Sequence, residues 1–98
     1  MIYNLVLQSE AVIDLREAFE WYEIQQSGLG FELINEVEEV CEKICGHPLN
    51  YSVISINGRF RKIKINRFPY LVIYEIEEDK IIVSTIKHIK KKSKPDLQ

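Results

Sequence analysis

Five cationic side chains fall within nine residues: Arg59, Arg61, Lys62, Lys64 and Arg67. A second basic group, Lys87, Lys90, Lys91 and Lys92, surrounds His88. Guanidinium and ammonium groups bind phosphate oxygens. Beside an imidazole they can also stabilise the charge that develops as a phosphodiester is cleaved. Lysines on strands have a plainer use, since they discourage edge-to-edge association of sheets. The spacing fits both.

Three other sets of chemistry-bearing residues are weaker. Cys41, Cys45 and His47 fall within seven residues and could share a zinc ion, but structural zinc takes four ligands with closer cysteine spacing. No fourth ligand is in view, and both cysteines lie on an apolar stripe, where a reduced thiol packs as a small hydrophobe. No metal or cofactor is therefore expected. Glu32, Glu36 and Glu39 share one helix face, as paired carboxylates of a hydrolase would, but nothing apolar nearby would tune them and a solvated face is expected. Ser84 and Thr85 lie near His88, without the nucleophile elbow, orienting acid or glycine-rich loop that acyl or phosphoryl chemistry uses.

The basic residues need a frame, and hydrophobic periodicity supplies one. Ile2 to Leu7 forms a short strand. Ser9 offers a helix cap, and Ala11, Val12, Leu15, Ala18, Phe19 and Tyr22 form one face of a helix to about Gln26. Ser27-Gly28-Leu29-Gly30 ends it, with Gly28 suited to a left-handed backbone. A second helix follows to Cys45, its stripe Leu33, Ile34, Val37, Val40, Cys41, Ile44 and Cys45. Gly46 and Pro48 stop it. So short a connection implies an antiparallel helical hairpin. The period then changes to that of strands. Ser52–Ile56 can be a short strand, and Asn57-Gly58 marks a tight turn. Strands follow at Arg59–Asn66, Tyr70–Ile76 and Ile81–Ile89. The expectation is an α+β fold, β-α-α-β-β-β, with the hairpin packed on a mainly antiparallel four-stranded sheet. Residues 1–92 make one domain and residues 93–98 a loose tail. Trp21 lies off the apolar stripe beside Tyr22, either covering the core edge or helping to form a partner groove.

Composition agrees with a small globular domain. The 98 residues are 46% hydrophobic and 29% charged, which excludes disordered, fibrous and mucin-like classes. No apolar run approaches the roughly 18 residues of a membrane-spanning helix, and the N-terminus lacks the pattern of a signal peptide. A cytoplasmic protein with reduced thiols is expected. The net charge of −2 conceals an asymmetry. Residues 1–47 carry ten acids against two bases, and residues 48–98 eleven bases against five acids. Either the halves neutralise each other, or the basic half meets a polyanion or an acidic protein.

Taken in order, several motifs resemble the RelE/ParE toxin superfamily. They are Asp14-Leu15-x-Glu17-Ala18-x-x-Trp21-Tyr22-Glu23, Gly28-Leu29-Gly30-x-x-Leu33, Pro48-x-x-Tyr51, Arg59 and Arg61, Phe68-Pro69-Tyr70-x-x-x-Tyr74, and Ile86-x-His88. The resemblance implies the toxin of a bacterial type II toxin–antitoxin pair, held inactive by a cognate antitoxin, with operator DNA bound only through that antitoxin. It implies one of two activities. ParE-like members poison DNA gyrase. RelE-like members cut messenger RNA on the ribosome from a basic site with a tyrosine or histidine near the C-terminus. Here Tyr70 stands where that site's arginine is expected, and no tyrosine follows His88. The Phe68-Pro69-Tyr70 segment resembles the ParE branch, which is favoured. Under the ribonuclease alternative His88 and Arg61 would be catalytic. Under either, Arg59, Arg61, Lys62, Lys64, Arg67, Lys90, Lys91 and Lys92 would contact target or phosphate, and Trp21 and Tyr22 the antitoxin. A third reading is a non-toxic member that only binds the antitoxin and assists repression.

Overall fold

The computed structural model describes residues 3–90. Strand β1 (Asn4–Leu7) leads into helix α1 (Ser9–Gln25), which turns into helix α2 (Leu29–Gly46). One 3-10 turn (Pro48–Asn50) then precedes strands β2 (Ser52–Val53), β3 (Phe60–Lys64), β4 (Tyr70–Glu77) and β5 (Lys80–His88). The α+β class and the hairpin-on-sheet order are as expected. The sheet has five strands rather than four, in the order β1-β5-β4-β3-β2. The strand beyond four is the two-residue β2, which lies within the short strand expected at Ser52–Ile56 and pairs only through Ser52 with Lys62 and Val53 with Arg61. β1 forms the other edge, parallel to β5, and the remaining pairs are antiparallel.

The two central strands are apolar on their helix-facing side because both helices cover it. Val72, Tyr74, Ile81, Val83 and Ile86 meet Ala11 and Ala18 of α1 and Leu33, Val37, Val40 and Ile44 of α2 in one core. The alanines let α1 lie close to the sheet. Val12, placed on the buried face by periodicity, is exposed. Ser9 does not cap α1 either. Gln8 takes the extended capping position without a side-chain bond, and Ser9 is already helical.

The hairpin turn is built on three side-chain and backbone fits. Gly28 has φ +92°, in the left-handed region that glycine occupies without penalty. The α2 N-terminus has no cap of its own. The Glu23 carboxylate supplies one from α1, accepting the N–H groups of Gly28 (3.1 Å), Gly30 (2.8 Å) and Phe31 (3.3 Å). Four such donors are otherwise orphaned at any helix start. Gly30 sits against α1 so closely that a Cβ there would lie 2.6 Å from the Phe19 carbonyl oxygen and 2.7 Å from its ring.

Three further bonds lock the hairpin and the 3-10 turn to the sheet. The buried Tyr74 hydroxyl donates to the Pro48 carbonyl at 2.6 Å. Asp14 Oδ2 accepts the Thr85 hydroxyl (2.6 Å) and the Ile86 N–H (3.0 Å). β1 pairs no further than Val83, so Asp14 covers the β5 edge where β1 leaves it open. The β4–β5 register shifts there: Ile73 pairs with Thr85, Tyr74 with Val83, and Ser84 is the bulged residue between.

Candidate functional site

The structure divides the basic residues into cations held by the fold and cations that project from it. Arg59 is of the first kind. Its Nε donates to Glu75, a carboxylate only 8% exposed within β4. That bond, with the Glu75 charge behind it, raises the Arg59 pKa further above its ordinary value. Arg61 donates to the Tyr51 carbonyl (2.7 Å) and the Leu49 carbonyl (3.2 Å), tying the 3-10 turn and β2 to the sheet. Arg67 pairs with Glu32 and, at 3.6 Å, Glu36, and its guanidinium lies 5.4 Å from the Phe68 ring centre. Glu32 and Glu36, expected to be solvated, are half-buried partners that fasten α2 to the β3–β4 connection. Glu39 is exposed.

Lys62 and Lys87 are of the second kind, and Lys64 lies between the two kinds, exposed along its length but with its ammonium on backbone carbonyls. Strand register sets them on the sheet face opposite the helices: Lys64 and Lys87 both pair with Leu71, and Lys62 pairs with Ile73. All three lysines are exposed, and Leu71 and Ile73 between them are half-buried. Lys64 also reaches the Ile65 carbonyl at 2.8 Å. Lys87 belongs to the second basic group of the sequence, and the strand register aligns it with Lys64 across Leu71. Lys90 is exposed, and Lys91 and Lys92 lie outside the described residues.

His88 belongs to an aromatic cluster at the far end of β4 and β5. Its ring meets Tyr70 edge-to-face at 5.0 Å, and Tyr70 meets Tyr22 at 6.3 Å. His88 Nδ1 accepts the Lys90 N–H at 3.0 Å, which leaves Nε2 to carry the proton in the neutral ring. Burial pushes the Tyr70 phenol up to about 12, with Tyr22 adding to the effect. Arg61 and His88 are not brought together. Arg61 pairs with Tyr74 and His88 with Tyr70, so four residues of β4 separate them, about 13 Å along the strand at ~3.3 Å per residue. Trp21 and Tyr22 also part: Trp21 is 58% exposed, whereas Tyr22 packs on Phe68 at 5.0 Å.

The remaining sets carry structure. Thr85 donates to Asp14 rather than to His88. Cys41 and Cys45 are half-buried free thiols, and burial pushes Cys41 up to about 11. Among the described residues no group of three or more His, Cys, Asp or Glu side chains is placed to hold a metal ion. No described helix is long and apolar enough to cross a membrane. Glu75 was missed as a partner of Arg59, although a carboxylate inside the apolar run Tyr70–Ile76 signals a buried charge that needs a counter-ion.

An acidic helical hairpin thus lies on one face of a five-stranded sheet, with exposed cations on the other. Residues 5–92 match the family described as ParE toxin of type II toxin-antitoxin system, parDE, and the chain belongs to that family. The fold is shared with a chain of the chromosomal ParDE TA system from P. aeruginosa: TM-score 0.79, 13% identity, 91% of this chain and 98% of that one covered. It is also shared with the YoeB dimer from Staphylococcus aureus, at TM-score 0.63 and 14% identity, covering 89% and 97%. No curated protein matches the sequence.

Proposed function

We propose that this ParE-type toxin arrests growth by binding DNA gyrase, and that a cognate antitoxin neutralises it. The separation of Arg61 from His88 carries the choice of binding over cleavage. Arg61 is spent on two backbone carbonyls and His88 packs on Tyr70, so the two residues of the ribonuclease reading are not placed to act together on a phosphodiester. Family membership supports an antitoxin partner, and the ParDE system among the structural relatives agrees with it. The exposed Lys62, Lys64 and Lys87 provide a cationic face for an acidic surface of target or antitoxin. Trp21 is retained as an antitoxin contact, while Tyr22 acts through the core.

Pulse labelling after induction of this chain alone tests the reading. DNA synthesis should fall within minutes while protein synthesis continues, and the purified chain should inhibit supercoiling by purified gyrase. His88→Ala should leave both effects within about twofold of wild type. Immediate loss of translation, abolished by His88→Ala, would instead establish the ribosome-dependent ribonuclease, for which proton transfer is worth roughly 10²–10⁴. Accumulation of folded chain with neither synthesis affected would leave an antitoxin-binding co-repressor.

A further inference from the structure

The helices cover one face of the sheet, and the open face carries a pattern of its own. Side chains alternate along a strand. Lys62 and Lys64 of β3, Leu71 and Ile73 of β4 and Lys87 of β5 therefore share the open face, with Lys64 and Lys87 on either side of Leu71. Leu71 and Ile73 make a half-buried apolar floor, and exposed lysines border it on both sides. β3 and β5 lie two strand spacings apart, about 10 Å. An α-helix with its side chains is about 10–12 Å wide. Helix α1 shows the complementary pattern on its outer side. Ala11, Leu15, Ala18 and Tyr22 pack into the core. At about 100° per residue, Ile13 and Ile24 fall opposite them, with Glu20 on one flank and Glu10 and Glu17 on the other. The two isoleucines are 46% and 80% exposed, and the three carboxylates are exposed with them. Arg16 is the one base on α1.

We propose that the open sheet face receives helix α1 of a second copy of this chain. Ile13 and Ile24 rest on Leu71 and Ile73, and the carboxylates on both flanks of the helix meet Lys62 and Lys87. Charge complementarity selects the occupant. The basic half of the chain forms the face and the acidic half supplies the helix, so both partners are present in equal amounts wherever the chain is. A helix is also the ordinary cover of a sheet face. The two surfaces lie on opposite sides of one molecule, so the contact joins unlike faces and adds copies head to tail without closing. A helix of 17 residues is about 25 Å long and about 10 Å wide, so the contact falls short of the roughly 800 Å² per partner of a stable complex. The association is therefore weak, and it leans on charges that salt screens. It stands whether or not the chain arrests growth. Where a target binds through Lys62 and Lys87, the second copy competes for them.

Sedimentation velocity of the purified chain tests this, from about 1 μM to about 1 mM, the range of weak dissociation constants. Wild type should gain mass steadily with concentration and should not stop at a dimer. Its dissociation constant should rise at least about tenfold between about 0.01 M and about 1 M ionic strength, as the screening length falls from about 30 Å to about 3 Å. Lys62→Glu with Lys87→Glu, and separately Glu17→Lys with Glu20→Lys, should each be monomeric, because like charges then face one another. Mixing the two double variants should restore association, since the acidic helix of the first meets the basic face of the second and the reversed pair matches equally. All four positions are exposed, so thermal midpoints should stay near wild type. A wild type that is monomeric at low salt overturns the proposal, and if it then binds polyglutamate or a single-stranded oligonucleotide, the face belongs to a foreign polyanion. Association that ignores salt, or a mixture that stays monomeric, also overturns it by placing the contact elsewhere.

Discussion

Replacing Glu23 by alanine should unfasten the helical hairpin, and the structure sets the size of the effect. The carboxylate takes three N–H groups at the start of α2, one through Oε1 and two through Oε2. α2 has no other side-chain cap. Loss of an N-cap costs about 0.5–2 kcal/mol, and loss of a negative charge at a helix N-terminus about 0.3–1 kcal/mol more. Glu23→Ala should therefore destabilise by about 2 kcal/mol, lowering the thermal midpoint of a 98-residue chain by about 10 °C at roughly 4–8 °C per kcal/mol. Glu23→Gln is not a conservative control here. Its amide has one oxygen, so its NH2 group must face either Gly28 N–H or the Gly30 and Phe31 pair, donor against donor. It should lose about 1 kcal/mol, part of the capping and all of the charge. Glu20→Ala, on the exposed side of the same helix, should change stability by less than about 0.5 kcal/mol. Urea unfolding followed by circular dichroism measures all three. A Glu23→Ala midpoint matching that of Glu20→Ala would refute the capping argument.

Three other outcomes follow from the same geometry. Gly30→Ala inserts a Cβ 2.6 Å from the Phe19 carbonyl oxygen, a backbone atom that cannot step aside; it should cost about 1–3 kcal/mol by forcing the helices apart, visible as a lowered urea midpoint. Tyr74→Phe leaves the Pro48 carbonyl without its 2.6 Å buried donor, at a cost of about 1–2 kcal/mol, which the same titration would exclude if the midpoint held. Alkali should destabilise the fold: Cys41 is raised from 9.0 to about 11, and Tyr70 and Tyr74 from 10.0 to about 12, in each case chiefly by burial. The folded chain then holds these protons when the unfolded chain has released them, so their contribution is complete below about pH 9 and is lost as pH rises through 11 to 12. The urea midpoint should fall between pH 9 and 11, and a flat or rising profile would contradict the burial of these groups.

Local pattern was enough to read the order of elements, because each element's signal lies within its own residues. The stripe Leu33, Val37, Val40, Ile44 and the apolar runs of β4 and β5 needed no tertiary knowledge. What depended on distant pairing was not legible. A strand at Ser52–Ile56 was legible, but not that it stops at Val53, where its pairing with Lys62 and Arg61 ends. Ser9 has a capping side chain, but the strand before it delivers Gln8 to the capping position. Glu32 and Glu36 looked solvated because Arg67 lies more than thirty residues away in sequence. The basic run between Arg59 and Arg67 looked uniform and is not. Charge is visible in a sequence, whereas what that charge is bonded to is a property of the fold.

That distinction reaches the motifs by which the chain resembles its family. Asp14 closes the β5 edge, Glu23 caps α2, Gly28 and Gly30 let the hairpin close, Tyr74 holds Pro48, Arg61 holds Tyr51, and Tyr70 braces His88. Most motif residues are used to build the scaffold, whereas Trp21 and Glu17 are exposed. The residues that project without a scaffold task, Ile56, Lys62 and Lys87, stand outside the motifs. A scaffold can therefore be kept while its target changes, and the two sets should separate experimentally. Glu23→Ala should lower stability while each folded molecule arrests growth as well as wild type. Lys62→Glu combined with Lys87→Glu should do the reverse, melting with wild type and losing arrest, since both lysines lie exposed on the open sheet face. If both variants lost arrest in proportion to folded protein alone, the division between scaffold and target surface would be wrong.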